Sequence, residues 1–267
     1  MRRPFLAPCL ILASLLLSAP HFAAAQTSPS TTERVLNLPV HGGDQQRALY
    51  ASPSHPRATI VMLPGGAGDV GVARNGEIAH GNNFVVRSRV LWNAAGFAVL
   101  IPDAVDSQNL RGLRSSPQYA ALVGDLVAAA HAQAPGPVFL LGTSQGSIAA
   151  MNGAANLRDG QIAGIVLTES VSRLGGSHET VFDAHPERVN VPALVVANSD
   201  DRCNVAPPED ADKIAAAMSG APRVKVLRVS GGDQRSSTDC GSLSPHGYYG
   251  IEQKVVDTIA AWIDAAI

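Results

Sequence analysis

Aromatic residues are scarce in this chain of 267 residues: six Phe, two Trp and four Tyr. Charged residues are few as well, at 16%, with a formal net charge of −2 and no cluster of lysines and arginines. Nucleic-acid binding draws on a basic stripe or on stacking aromatics, so the composition argues against it and against attraction to an anionic membrane. Cysteine is limited to Cys9, Cys203 and Cys240, and no Cys or His partners stand around them at zinc-ligand spacing. No metal and no cofactor is expected. The one long apolar stretch, residues 6–17, falls short of the roughly 20 residues that cross a bilayer.

That stretch reads instead as the core of an export signal. Arg2 and Arg3 precede it, and Ala23-Ala24-Ala25 follow as a small-residue cleavage site, which makes residues 1–25 a signal peptide. A lipoprotein reading of Cys9 fails, because most of the apolar run lies after it and Pro8 precedes it. Cleavage would remove two arginines and no acids, taking the formal charge to about −4. No stable membrane anchor would remain, and the mature chain is expected in the periplasm or outside the cell. Oligomeric state is not legible. In an oxidising compartment the two remaining thiols, Cys203 and Cys240, are expected to form a disulfide.

Residues 26–34 (QTSPSTTER) are polar and read as a flexible lead-in, leaving 35–267 as one domain with enough chain for a substantial core. Strand-like runs recur at 35–40, 47–51, 59–63, 98–101, 138–141, 162–167, 193–197 and 224–229. Helical patterns fall at 84–94, 118–132, 146–157, 208–218 and 251–267. This alternation predicts an α/β fold: a doubly wound, mostly parallel eight-stranded sheet flanked by helices, with the first two strands a hairpin at one edge. Only about 25 residues separate the sixth and seventh strands, so little or no cap domain is expected.

The fifth of these runs ends in Gly142-Thr143-Ser144-Gln145-Gly146 and is followed at once by small, helix-compatible residues. A serine on a sharp strand-to-helix turn needs glycine two positions to either side, where a Cβ would collide with the turn. The pattern is a nucleophile elbow, and Ser144 is the candidate nucleophile. A serine hydroxyl becomes nucleophilic when an imidazole takes its proton and a carboxylate fixes that imidazole. His246 is the one histidine after the last strand-like run, just before the final helix. His178 and His185 follow the sixth strand and are weaker candidates for the pocket. His80 is undecided, while His41, His55 and His131 read as surface positions.

For the acid, Asp201 in the loop after the seventh strand is preferred, with Asp200 and Glu169 as alternatives. The oxyanion of an acyl-transfer intermediate needs two donors. The Gln145 N–H is one, and Gly66 in Leu63-Pro64-Gly65-Gly66-Ala67-Gly68 is the preferred second, with Ala67 next. Cys203 lies close to Asp201 and Cys240 close to His246, so their disulfide would tie the acid loop to the base loop.

Taken together, the elbow, the order Ser144, Asp201, His246 and the glycine-rich loop resemble the α/β-hydrolase superfamily. Leu63-Pro64-Gly65-Gly66, the stretch from Asn83 to Arg89, and the stretch from His246 to Glu252 resemble a group of exported bacterial α/β hydrolases. The resemblance implies a Ser-Asp-His hydrolase without naming a substrate. Pro64 stands where many lipases and esterases have histidine. Asn83 reads either as a lining residue or as the cap of a helix. The expected activity is cleavage of small-molecule or polymeric carboxylic esters through an acyl-enzyme. Peptide or thioester cleavage, or a noncatalytic binding module on the same fold, are the alternatives.

Overall fold

Eight short runs rich in Val, Ile, Leu and Ala pair into a single sheet in the computed structural model, which describes residues 31–267. The expected signal peptide lies outside the described residues. β1 (Thr31–Pro39) and β2 (Gln45–Pro53) form an antiparallel hairpin at one edge, and β2 pairs antiparallel with β4 (Ala98–Pro102). From β4 onward, β3 (Thr59–Leu63), β5 (Val138–Thr143), β6 (Gly164–Thr168), β7 (Ala193–Asn198) and β8 (Val224–Val229) all run parallel. The sheet order is β1-β2-β4-β3-β5-β6-β7-β8.

The parallel strands β3 to β7 are buried along their whole length because helices cover both faces. On one face α3 (Pro117–Gln133), α4 (Gln145–Asn156) and α5 (Ala211–Ala217) close over Val61, Leu63, Leu140 and Ile165. On the other, α1 (Phe84–Arg87), α2 (Arg89–Ala94) and α6 (Glu252–Asp264) cover Ile60, Met62, Phe139 and Leu141. Trp262 of α6 meets Phe139 edge to face, with ring centroids 6.1 Å apart. The period-2 alternation of each strand therefore divides the apolar residues between two half-cores.

Three of the boundaries that differ from expectation have a clear structural setting. β1 starts at Thr31, so residues 31–34, expected to belong to a flexible segment, pair with 50–53 of β2. Polar side chains do not oppose this on an exposed edge strand, where the backbone ladder supplies the partners. The helix expected over 84–94 is broken at Ser88, whose buried hydroxyl accepts a hydrogen bond from Trp92 Nε1 at 3.2 Å. The helix expected over 208–218 begins as a single 3-10 turn before α5. Between β6 and β7 the chain makes only two short 3-10 turns, Val181–Ala184 and Pro186–Arg188, so no helical cap is inserted there.

Candidate functional site

One residue, Ser144, turns the chain from β5 into α4, with φ 55° and ψ −123°. A non-glycine residue held there stores roughly 1–3 kcal/mol of strain. Both flanking glycines are required by contact: a Cβ on Gly142 would lie 2.1 Å from the Gly146 carbonyl oxygen, and one on Gly146 would lie 2.0 Å from the Leu63 carbonyl oxygen. The turn is anchored on either side. The Ser144 N–H donates to Thr168 O at 3.0 Å, and Ser144 O accepts from Ser147 N at 2.9 Å and Ser147 Oγ at 2.6 Å.

The glycine-rich loop after β3 is pressed against this turn. A Cβ on Gly65 would sit 2.9 Å from Thr143 O, and Gly66 has φ 60°. Two buried side chains hold the loop from behind. Arg114 donates from Nη2 to Pro64 O at 3.2 Å, and Asp103 accepts from the N–H groups of Val70, Gly71, Val72 and Ala104 at 2.7–3.0 Å. Burial pulls the Arg114 pKa below its ordinary value, opposed by Tyr119 and Glu179 nearby. Gly66 and Gln145 line the same cavity, and neither backbone N–H is committed to an acceptor among the described residues. Ala67 is not part of that lining, and its carbonyl is taken by Leu110 N.

His246 sits in a 3-10 turn (Pro245–Gly247) that Ser244 Oγ caps by accepting from His246 N at 3.2 Å. His246 Nδ1 and Asp201 Oδ2 are 2.7 Å apart, and both side chains are buried. The other carboxylate oxygen of Asp201 accepts from Cys203 N at 2.8 Å, which fixes its rotation. His246 Nε2 has no hydrogen-bond partner among the described residues. Asp200 does not reach the imidazole: its carboxylate caps Gly231 N at 2.6 Å, so of the adjacent pair one acid faces inward and one closes a turn. Ser144 and His246 line one cavity of about 470 Å³, together with Gly65, Gly66, Asn83 and Gln145.

The fold of this chain is similar to that of solved structures of low sequence identity. A dienelactone hydrolase from Anabaena variabilis superposes with a TM-score of 0.59 at 18% identity, over 90% of this chain and 99% of that one. The esterase domain of a Rhodothermus marinus protein gives 0.55 at 13%, over 86% and 97%. A puromycin-hydrolyzing peptidase of Mycobacterium tuberculosis gives 0.62 at 13%, over 88% of this chain and 39% of that one. The chain has the α/β-hydrolase fold. No family model and no curated protein matches the sequence.

Within this α/β-hydrolase fold, two of the three stretches that carried the sequence resemblance, Asn83 to Arg89 and His246 to Glu252, prove to be neighbours. Arg87 donates to Glu252 at 2.7 Å and to the Gly247 carbonyl, and Phe84 packs edge to face on Tyr248 with centroids 5.0 Å apart. Asn83 does both things expected of it: its Oδ1 caps α1 by accepting from Val85 N at 3.3 Å, and it lines the cavity. His80 also lines the cavity, 3.4 Å from Asp69, whereas His178 and His185 are exposed and absent from the lining.

Glu169, at the end of β6, lies among the buried residues of the site. Its Oε1 accepts from Asn198 N at 2.6 Å. Burial raises its pKa well above its ordinary value, reinforced by the neighbouring Asp201 carboxylate. Tyr248, whose hydroxyl donates to Val196 O at 3.2 Å, is likewise pushed well above its ordinary value, first by burial and then by Glu169. Glu169, Asp201 and His246 form the only group of His, Cys, Asp or Glu among the described residues compact enough to hold a metal ion. A cation there would compete with the short Asp201–His246 bond.

Cys203 and Cys240 are joined by a disulfide across a sequence separation of 37. It links the loop of Asp201 to the segment that leads to His246, and Cys240 itself lines the cavity. Breaking it in the double variant Cys203→Ala/Cys240→Ala is expected to lower stability by about 2 to 4 kcal/mol in urea unfolding. Equal midpoints for the oxidised protein and the variant would show that the loops are held by other contacts. Gly146→Ala, which drives a Cβ into a backbone carbonyl, is expected to cost at least about 3 kcal/mol; a change under about 1 kcal/mol would contradict the packing described for the elbow.

Proposed function

We propose that this protein is an exported serine hydrolase that cleaves carboxylic esters by a two-step acyl-enzyme route. The observation that carries the reading is the buried Asp201–His246 bond of 2.7 Å, with His246 Nε2 left unbonded in the cavity that Ser144 also lines. Ser144 Oγ attacks the ester carbonyl as His246 Nε2 takes its proton, and Asp201 holds the Nδ1–H and stabilises the imidazolium. Negative charge that develops on the carbonyl oxygen meets the N–H groups of Gly66 and Gln145, supplemented by the positive end of α4. Collapse of this intermediate breaks the ester bond, and His246 returns the proton to the departing alcohol. Water, deprotonated by the same imidazole, then releases the acid and restores Ser144.

The similar structures include a dienelactone hydrolase, an esterase domain and a puromycin-hydrolyzing peptidase, which supports hydrolysis as the reaction class. Ser144 at the elbow makes this a serine route. Amide bonds fit the same machinery, and the likeness to the puromycin-hydrolyzing peptidase keeps peptide cleavage as the second reading. Export is supported by the signal-like residues 1–25 and by the disulfide. No helix among the described residues is long and apolar enough to cross a membrane. The cavity holds Asp69, His80, Asn82, Asn83 and Arg111 with only Phe84 and Val205 as sizeable apolar contacts, which suits a small, polar ester.

The test is hydrolysis of p-nitrophenyl acetate and butyrate, with an amino-acid p-nitroanilide alongside. The wild-type protein is expected to turn over the acetate faster than the anilide, and Ser144→Ala is expected to lose at least about 10³-fold in kcat. Anilide cleavage exceeding ester cleavage would favour the peptidase reading. Activity that survives in Ser144→Ala would remove the serine from the mechanism.

A further inference from the structure

The reaction described above makes no use of Glu169, although its placement is tightly determined. Its backbone lies in the left-handed region at φ 43°, an arrangement that a residue with a Cβ rarely adopts without surrounding constraint. The Glu169 N–H donates to Val196 O at 3.2 Å, and its Oε1 accepts from Asn198 N at 2.6 Å, so the carboxyl is held inside the protein. Its Oε2 is buried and has no geometric hydrogen-bond partner. One carboxylate oxygen of Glu169, one of Asp201 and one ring nitrogen of His246 all lie within 4.8 Å of each other.

The titratable groups that face Glu169 are Asp201, from the loop after β7, and His246 and Tyr248, from the turn before α6. Two carboxylates so close in a buried site cannot both carry charge cheaply. Asp201 has the imidazole on one oxygen and the Cys203 N–H on the other, and both stabilise its charged form. Glu169 has one backbone N–H and an oxygen without a donor, and is therefore the member that stays protonated.

We propose that Glu169 is a positioning residue that buttresses Asp201 in the intact site and a reserve acid that accepts the His246 Nδ1–H bond when Asp201 is removed. The proposal rests on the hydrolase reading for its kinetic test and on geometry alone for its spectroscopic one. Truncating Asp201 takes away the side chain that occupies the Nδ1 position and the like charge that keeps Glu169 neutral. Glu169 then loses its proton to solvent at lower pH, and its carboxylate takes up the hydrogen bond from Nδ1–H. No proton passes to Glu169 during turnover.

Four proteins decide it: wild type, Glu169→Gln, Asp201→Ala, and the double variant Asp201→Ala/Glu169→Gln. In kcat/KM for p-nitrophenyl acetate, Glu169→Gln is expected to fall less than about tenfold. Asp201→Ala is expected to keep activity at least about tenfold above the double variant, rising with pH as Glu169 ionises. Equal rates for Asp201→Ala and the double variant at every pH would overturn the proposal. So would a rate in Asp201→Ala that follows only the ionisation of His246, which decides the matter if the double variant does not fold.

Proton NMR supplies a readout without turnover. The low-field resonance of the His246 Nδ1–H is expected in wild type and, above the Glu169 ionisation, in Asp201→Ala, and is expected to vanish in the double variant. Its absence from folded Asp201→Ala would overturn the reserve role. The expected resonances in a protein that hydrolyses no ester would instead leave the proposal standing and count against the ester reading.

Discussion

The strained turn at Ser144 is the constraint on which the rest of the site depends. A residue with φ 55° is tolerated there because β3, β5 and β6 meet around it: Leu63 O packs on Gly146, and Thr168 O binds the Ser144 N–H. Hydrogen bonds of this kind contribute about 1 kcal/mol each, so the bonds to Thr168 and Ser147 are of the size needed to offset the strain. The same packing brings the carboxyl ends of the three strands together, and the loops that follow them inherit that proximity. A hydroxyl lifted above the sheet edge beside a glycine-rich loop is therefore a consequence of strand order and of two missing Cβ atoms.

The loops that carry Asp201 and His246 are held to this centre by long-range ties. Asn198, fully buried at the end of β7, donates to Gly231 O at 2.8 Å and to Pro245 O at 2.9 Å, which joins the acid loop to the turn that carries His246. The disulfide makes a second link between the same two segments, and Arg87 of α1 holds the His246 turn separately through the Gly247 carbonyl. In such a dry setting a hydrogen bond to a carboxylate is stronger than in water, and a second carboxyl is driven neutral. The short Asp201–His246 contact and the raised pKa of Glu169 are two results of the same low-dielectric surroundings.

Much of this was legible in the sequence where the signal is local. Strand positions followed from runs of branched apolar residues, and the elbow from glycines two positions either side of Ser144. Position in the loop favours Asp201 over the adjacent Asp200, but the task of Asp200 is not legible there, because it depends on Gly231, about 30 residues further along, which occupies its carboxylate. Arg114 and Asn198 gave no sequence signal, since each works through a backbone carbonyl supplied by a distant segment. Asp103, at the carboxyl end of β4, stood where an acid merits attention, and its role in gathering three loop N–H groups is visible only in three dimensions. Glu169 was recognised as a possible acid but not as a neighbour of Asp201, because the separation of two strand ends is set by sheet order.

Activation of Ser144 by His246, the core of the proposed mechanism, is open to a covalent-labelling test. The protein would be treated with a fluorophosphonate, and the adduct located by intact-mass and peptide mass spectrometry in wild type and in His246→Ala. One adduct per chain is expected, on Ser144, forming far more slowly in His246→Ala. A folded wild-type protein that takes no label, or takes it on another residue, would contradict the claim and leave the cavity as a binding site on a hydrolase fold.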